Sequence, residues 1–225
     1  MSKNYIAKER IQMEIIQGLI SFILHIDKHL VDIIHNFGGW SYAILFLIVF
    51  IETGVVVFPF LPGDSLLFAS GAFAAVGSFH IALLWIVFFV AAVLGDTMNY
   101  QIGKKVGTSI PPKSFLGKWI NQEKMFKAQQ FFDKHGGKTI VIARFMPFIR
   151  TFAPFIAGAS QMHYRYFIIY NVVGAALWVT LGTVLGYFFG GIPIIKDNFS
   201  TVLLLIIFIS ILPGVIGFLR SRFKK

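Results

Sequence analysis

The chain has 225 residues, a formal net charge of +10 and no cysteine. Hydrophobic residues make up 56% of it and charged residues 13%, against about 25% charged residues in a soluble domain, so the composition indicates that lipid is the solvent. The lack of cysteine excludes disulfides, thiol nucleophiles and thiolate metal sites, and we expect the basic excess to flank apolar segments and face anionic headgroups rather than nucleic acid.

Residues 1–38 are predicted to form an N-terminal helix whose placement stays undecided. Charged residues interrupt its apolar part, residues 11–37, at Glu14, Asp27, Lys28 and Asp32. Such a segment is either a poor membrane-spanning helix or an amphipathic helix that lies in the membrane interface. Both alternatives remain open on the sequence alone.

A strongly apolar run follows, but it is too short to cross a membrane. It covers residues 40–51, whereas a crossing helix needs about 20 residues. The run leads into Glu52 and a stretch punctuated by Pro59, Pro62 and Gly63. Because proline lacks an amide donor and glycine permits turns, we expect irregular backbone here, buried in protein or reached by water.

A helix is predicted from Ile81 to about Gly103, and a basic loop follows it. Residues 104–138 carry eight Lys residues against two acids, a bias typical of a cytoplasmic loop. We assign residues 39–190 to one membrane domain that includes this loop.

The second half of the chain repeats the pattern of the first. Its first apolar run is interrupted at Pro147, Pro154 and Gly158, and a spanning helix is predicted over residues 166–190. Residues 191–225 are predicted to form a last transmembrane helix with a basic cytoplasmic tail.

The positions of the basic segments predict the topology. If the Lys-rich loop and the basic tail share the cytoplasmic face, an even number of crossings separates them, so the interrupted run enters and returns on one side. The sequence therefore predicts an all-α integral membrane protein, an inverted repeat with two re-entrant Pro/Gly-broken hairpins and Gly-rich transmembrane helices. Transporters with such repeats bind substrate near the middle of the membrane, where the broken segments meet.

Four charged residues belong to the two broken segments, namely Glu52, Asp64, Arg144 and Arg150. An ionised group at mid-membrane costs roughly 2.5–3.5 kcal/mol on insertion scales, so these side chains need partners or water. They form either buried salt bridges between the hairpins or a polar pathway, in which arginines bind an anionic headgroup and a carboxylate carries a proton. We also expect Asp64 to cap a helix that starts at Leu66.

A further polar group, Asp96, Asn99 and Tyr100, lies in the predicted helix before the basic loop. Asp96 is expected either to pair with Lys104 or Lys105 at the interface or to join the pathway. The small residues at every fourth position of both Gly-rich helices are expected to allow close helix packing.

The remaining side chains give no sign of enzyme chemistry. We expect the four Trp residues to be interfacial anchors or packing groups. Hydrolase motifs and paired-His zinc motifs are missing from the sequence. The sequence therefore predicts no enzyme activity, no bound metal and no cofactor.

Three motifs together carry a resemblance to a known family. Glu52-Thr-Gly54 with Phe60-Leu-Pro-Gly-Asp64-Ser is similar to the first signature of the DedA family of membrane proteins, in the SNARE-associated or VTT-domain superfamily. Gly95-Asp-x-x-Asn-Tyr100-x-x-Gly103 resembles its second signature. The third is resembled by Ala143-Arg-Phe-x-Pro147-x-x-Arg150-Thr-x-x-Pro154-x-x-Ala-Gly158 with Asn171-x-x-Gly174-x3-Trp178.

The resemblance implies a multi-pass lipid translocase of the bacterial inner membrane, with both termini in the cytoplasm. Its partners would be protons and a lipid moved between leaflets, either a polyprenyl phosphate such as undecaprenyl phosphate or a phospholipid. A proton-coupled exporter of small solutes or drugs, and a structural membrane protein without transport, are the alternatives. A homo-oligomer stays open.

The family motifs also imply roles for single residues. Arg144 and Arg150 would bind the substrate phosphate, and Glu52 or Asp64 would take the proton. The hairpin backbone would depend on the prolines and glycines at Pro59, Pro62, Gly63, Pro147, Pro154 and Gly158. The secondary candidates are Asp96, Asn99, Tyr100 and Asn171.

Overall fold

The computed structural model describes residues 36–55, 63–106 and 136–190. It also describes isolated positions at 32–33, 130, 132, 134, 192, 201–202 and 205. The predicted N-terminal helix, most of the basic loop, the last transmembrane helix, Pro59 and Pro62 lie outside the described residues.

Helices make up the described part of the chain, which contains no strand. A 3-10 turn at Gly38–Trp40 leads into the first of them. The α-helices are Ser41–Gly54 (α1), Gly63–Ala75 (α2), Ile81–Val106 (α3), Lys138–Arg144 (α4), Pro147–Ala159 (α5) and Tyr164–Phe189 (α6). The predicted all-α class is confirmed for these residues.

Helices α3 and α6 are long and apolar enough to cross a membrane. Each has 26 residues, so each is about 39 Å long at 1.5 Å per residue. Large apolar side chains are exposed along one face of each helix, at Leu83, Ile86, Val90 and Leu94 of α3 and at Ile169, Val173, Leu177 and Leu181 of α6. Such faces are at home in lipid and costly in water.

The two long helices run antiparallel. Near the start of α3, Trp85 Nε1 donates to Thr180 Oγ1 in the second half of α6 at 3.0 Å. Near the end of α3, the ring of Tyr100 stacks on Phe167 in the first turn of α6, with centroids 4.5 Å apart. The start of each helix therefore lies beside the end of the other.

The short helices form two pairs, α1 with α2 and α4 with α5. In each pair, the second helix ends near the point where the first helix begins. At the start of α1, Tyr42 Oη accepts from the His80 amide, which follows α2, at 2.8 Å. In the second half, Gly136 just before α4 lies beside Tyr166, because a Cβ atom at Gly136 would be 3.0 Å from its hydroxyl. Tyr166 lies in the first turn of α6, which follows α5 after a short connection, so α4 begins near the end of α5.

Each long helix packs against short helices from both halves of the chain. Helix α3 packs on α1 and α5, and α6 packs on α2 and α4. Glycine permits these crossings, since a Cβ at Gly103 would meet the Phe155 carbonyl oxygen and one at Gly186 would meet that of Phe68. The reciprocal contacts are Gly158 against Tyr100 and Gly71 against Thr183. The prediction that glycines of the long helices allow close packing is confirmed at Gly103 and Gly186, whereas Gly107 lies outside the described residues.

The second broken segment is interrupted at one place, between α4 and α5. The chain leaves the helix at Phe145 and Met146, and Pro147 starts the next helix, where its missing amide costs nothing. The predicted interruptions at Pro154 and Gly158 are wrong, because both residues lie inside α5. Tertiary packing of α5 on α3 keeps the helix continuous although Pro154 cannot donate a backbone hydrogen bond.

Candidate functional site

The ends of α1, α2 and α5 bring three charged side chains together. Arg150 donates from Nη1 to Asp64 Oδ1 at 2.8 Å and from Nη2 to Glu52 Oε1. Glu52 is completely buried, and its Oε1 also accepts from the Gly63 amide at 3.3 Å. One guanidinium of the second half thus holds two carboxylates of the first half.

A second ion pair joins α4 to the long helices. Arg144 Nη2 donates to Asp96 Oδ2 on α3 and to Asn171 Oδ1 on α6, the latter at 2.7 Å. Asn171 in turn donates from Nδ2 to the Val93 carbonyl at 3.1 Å. Arg144 and Asp96 are both buried, so the pair is withdrawn from solvent.

Trp178 on α6 lies between the two ion pairs. Its indole Nε1 donates to Asp64 Oδ1 at 2.7 Å. The guanidinium carbons of Arg144 and Arg150 lie 5.7 and 5.3 Å from the centre of its ring, within cation–π range. A single buried side chain therefore contacts charged groups of both pairs.

A small cavity separates the two arginines. It has a volume of about 10 Å³, enough for about one water-sized group. Its lining consists of Thr53, Asp96, Arg144, Arg150, Thr151 and Trp178. Among the described residues, Arg144 Nη1, Arg150 Nε and Thr151 Oγ1 have no hydrogen-bond partner although they are buried.

Charge is unbalanced within this site. The three carboxylates of Glu52, Asp64 and Asp96 outnumber the two guanidinium groups, which leaves a formal charge of −1. Glu52 Oε2 is buried without a hydrogen-bond partner in the described part of the chain. Unpaired buried charge is costly, so one added proton would bring the site to neutrality.

The structure places most of the predicted site residues in contact. Asp96 pairs with Arg144, so the expected pairing with Lys104 or Lys105 is wrong. Asp64 lies in the first turn of α2, which begins at Gly63 rather than Leu66, so the predicted cap is wrong as well. The remaining secondary candidate, Tyr100, is outside the site and donates to the Met162 carbonyl.

Trp178, Thr53 and Thr151 are site residues that sequence reasoning missed. Trp178 was expected to be an anchor or packing group. A signal for it exists, because it follows Asn171 by seven residues, and two helical turns place both side chains on one face. The two threonines follow Glu52 and Arg150 directly, and nothing else in the sequence distinguishes them.

No metal site is evident in the part of the chain that the structure describes, since no three His, Cys, Asp or Glu side chains there are arranged so that they could hold a metal ion. The arginines within the carboxylate group also repel a cation.

Asn99 of α3, three residues after Asp96, forms hydrogen bonds with both halves of the chain. Its Nδ2 donates to the Thr151 carbonyl at 2.6 Å and to the Thr53 carbonyl at 3.2 Å. We expect Asn99→Leu to lower the free energy of unfolding in detergent by about 1–3 kcal/mol, because both buried carbonyls lose their donor. Gln101→Leu, on the exposed face two residues further on, is the control. Equal thermal unfolding of both variants would show that the bridge contributes nothing.

Comparison with known proteins gives related sequences. The VTT domain family matches residues 61–188. Protein DedA of Escherichia coli K12 is 50% identical over 214 residues, which are 93% of this chain and 96% of that protein. An uncharacterized membrane protein of Mycobacterium leprae is 42% identical over 171 residues, 76% of each chain. Inner membrane protein YqjA of Escherichia coli K12 is 33% identical over 190 residues, covering 83% of this chain and 86% of YqjA. No solved structure matches this chain.

Proposed function

This chain belongs to the DedA family of VTT-domain membrane proteins, and from that membership we propose that it is a lipid translocase of the bacterial inner membrane. It moves a lipid with a phosphate in its headgroup between leaflets, either an anionic carrier such as undecaprenyl phosphate or a phospholipid. It is a transporter and not an enzyme. Both termini lie in the cytoplasm, on the side of the basic loop.

The observation that carries this proposal is a pair of buried arginines that have unused donors and that both line one small cavity. Arg144 Nη1 and Arg150 Nε have no protein acceptor among the described residues, and both arginines line the space between the ion pairs. Guanidinium groups bind phosphate well, because their planar N–H donors match its oxygens. Phosphate oxygens therefore suit these donors better than a neutral solute does.

The fold supports a path for a headgroup through the membrane. We interpret α1–α2 and α4–α5 as two re-entrant hairpins of an inverted repeat. Each pair returns to its starting level, and the antiparallel long helices put those levels at opposite ends. In transporters with such repeats, the substrate site usually lies near the middle of the membrane, where the ends of broken helices meet.

The charge count supports coupling to protons. A phosphate anion that enters a site of formal charge −1 adds further negative charge in a buried place, which is unfavourable unless carboxyl groups take up protons. Glu52 is the strongest candidate for the proton, since it is fully buried and its Oε2 has no partner in the described residues. Asp64 is the second candidate, because it shares the same arginine.

Transport in reconstituted vesicles tests this function. The protein is placed in liposomes that carry labelled undecaprenyl phosphate or labelled phosphatidylethanolamine in one leaflet, with and without a pH gradient. We expect at least one lipid to change leaflet more than tenfold faster than in protein-free liposomes. If neither does so, the translocase proposal fails; solute uptake instead would favour the exporter, and no transport at all would favour a structural role.

A further inference from the structure

The indole of Trp178 contacts Asp64 and the guanidinium groups of Arg144 and Arg150. We propose that Trp178 is a positioning residue of the site, which retains Asp64 and the two guanidinium groups when a ligand phosphate replaces Asp64 at Arg150. The inference rests on the proposed function, because it concerns binding of the lipid phosphate. In this role Trp178 holds the Asp64 carboxylate near its original position after the carboxylate has lost its bond to Arg150.

Asp64 is the carboxylate that a ligand can replace. Its side chain is 24% exposed, whereas that of Glu52 at the same arginine is fully buried. Its Oδ1 accepts from both Arg150 Nη1 and Trp178 Nε1. A phosphate oxygen that takes the Arg150 donor therefore leaves Asp64 with one hydrogen-bond partner in the described part of the chain, the indole.

That remaining bond matters more in the occupied site than in the empty one. In the empty site Asp64 has a cation and an N–H donor, so loss of the indole donor leaves it still paired. In the occupied site the indole is the only donor left to it among the described residues. A partly buried carboxylate that loses its donors is unfavourable, so Trp178 Nε1 lowers the cost of releasing Arg150 to the ligand.

The ring of Trp178 also holds the two arginines in position during ligand binding. Both guanidinium carbons lie within 6 Å of the ring centre, and this attraction does not depend on which anion the guanidinium bonds. The ring therefore keeps both arginines in place while their anionic partners exchange. Both arginines, each of which has a donor without a partner in the described residues, then stay beside the cavity.

Binding of a short polyprenyl phosphate separates this role from general stability. Radiolabelled farnesyl phosphate is titrated against the purified full chain in detergent, with farnesol as the competitor that lacks the phosphate. Trp178→Phe removes the N–H donor and keeps a smaller aromatic face. Trp85→Phe is the control, because it removes a comparable indole bond, from α3 to Thr180 of α6, outside the site. We expect Trp178→Phe to bind about tenfold more weakly and Trp85→Phe to bind like the wild type.

An Asp64→Ala background shows whether the effect passes through Asp64. There we expect Trp178→Phe to change the affinity less than twofold, since the carboxylate that it retains is missing. A tenfold loss in this background too, or none in the wild-type background, overturns the role of Trp178 while leaving the translocase proposal standing. Wild-type protein that binds farnesyl phosphate no better than farnesol overturns the role of Trp178 in phosphate binding, and the translocase proposal is then decided by the liposome experiment.

Trp178 emission provides the measurement that needs no substitution at Trp178. In a protein with Trp40, Trp85 and Trp119 replaced by Phe, we expect saturable emission changes with farnesyl phosphate and none with farnesol. Emission that stays constant while the labelled ligand binds overturns the proposal, even if Trp178→Phe does not fold.

Discussion

Replacement of Arg150 by Met is expected to abolish lipid transport and to destabilise the protein. Arg150 is the cation for both Glu52 and Asp64, it lines the cavity, and its Nε has no partner among the described residues. Removing one partner of a buried ion pair costs about 3–5 kcal/mol, because the other charge is left uncompensated. We expect a fall of that size in the free energy of unfolding and more than a hundredfold loss of transport in liposomes.

The two losses have different causes, and a triple variant separates them. Glu52→Leu, Asp64→Leu and Arg150→Met together replace the buried charges by apolar side chains, which is often neutral or stabilising. We expect the unfolding free energy to return to within about 1 kcal/mol of the wild-type value while transport stays absent. Measurable transport by the triple variant would mean that these charges serve the fold alone.

The second large effect is expected at the crossing of α3 and α5. A Cβ atom at Gly158 would contact the Tyr100 carbonyl oxygen, and one at Gly103 would contact that of Phe155. Backbone atoms cannot turn aside as a side-chain end can, so the helices have to separate. We expect Gly158→Ala to cost about 1–3 kcal/mol of stability, measured by thermal unfolding in detergent.

Transport should fall with that crossing as well. Gly158 lies eight residues after Arg150 in the same helix, so separation of α5 from α3 moves the guanidinium that bonds Glu52 and Asp64. Gly39 is the control, since a Cβ there meets nothing within 4 Å, and Gly39→Ala should unfold and transport like the wild type. A Gly158→Ala protein as stable as Gly39→Ala would contradict the packing of α3 on α5.

The sequence identified the charged residues of the site but not their pairing. Glu52, Arg144 and Arg150 stood out because ionised groups in apolar segments need partners. Which acid meets which arginine depends on how α5 crosses α3, and that crossing is set by glycine contacts far along the chain. Asp96 shows the difficulty, because lysines lie nearer to it in the sequence, whereas the fold turns its side chain toward Arg144.

Local rules failed where tertiary packing was stronger. Pro154 lies inside α5 although proline usually ends a helix, since packing against α3 offsets one lost backbone bond. Trp178 was missed because its place in an apolar helix agrees with the local rules. An indole in an apolar helix is at home in the interface or in the core, and only its distance from Asn171 placed it on the polar face.

The exchange of packing partners between the two halves limits how the protein can open. Helix α3 packs closely on α5 at Gly103, and α6 packs closely on α2 at Gly186. The long helix of each half therefore packs on a short helix of the other half, and a rocking motion of one half against the other would break both packing contacts. Access for a headgroup is therefore expected to come from small shifts of the charged helix ends, within a scaffold that stays still.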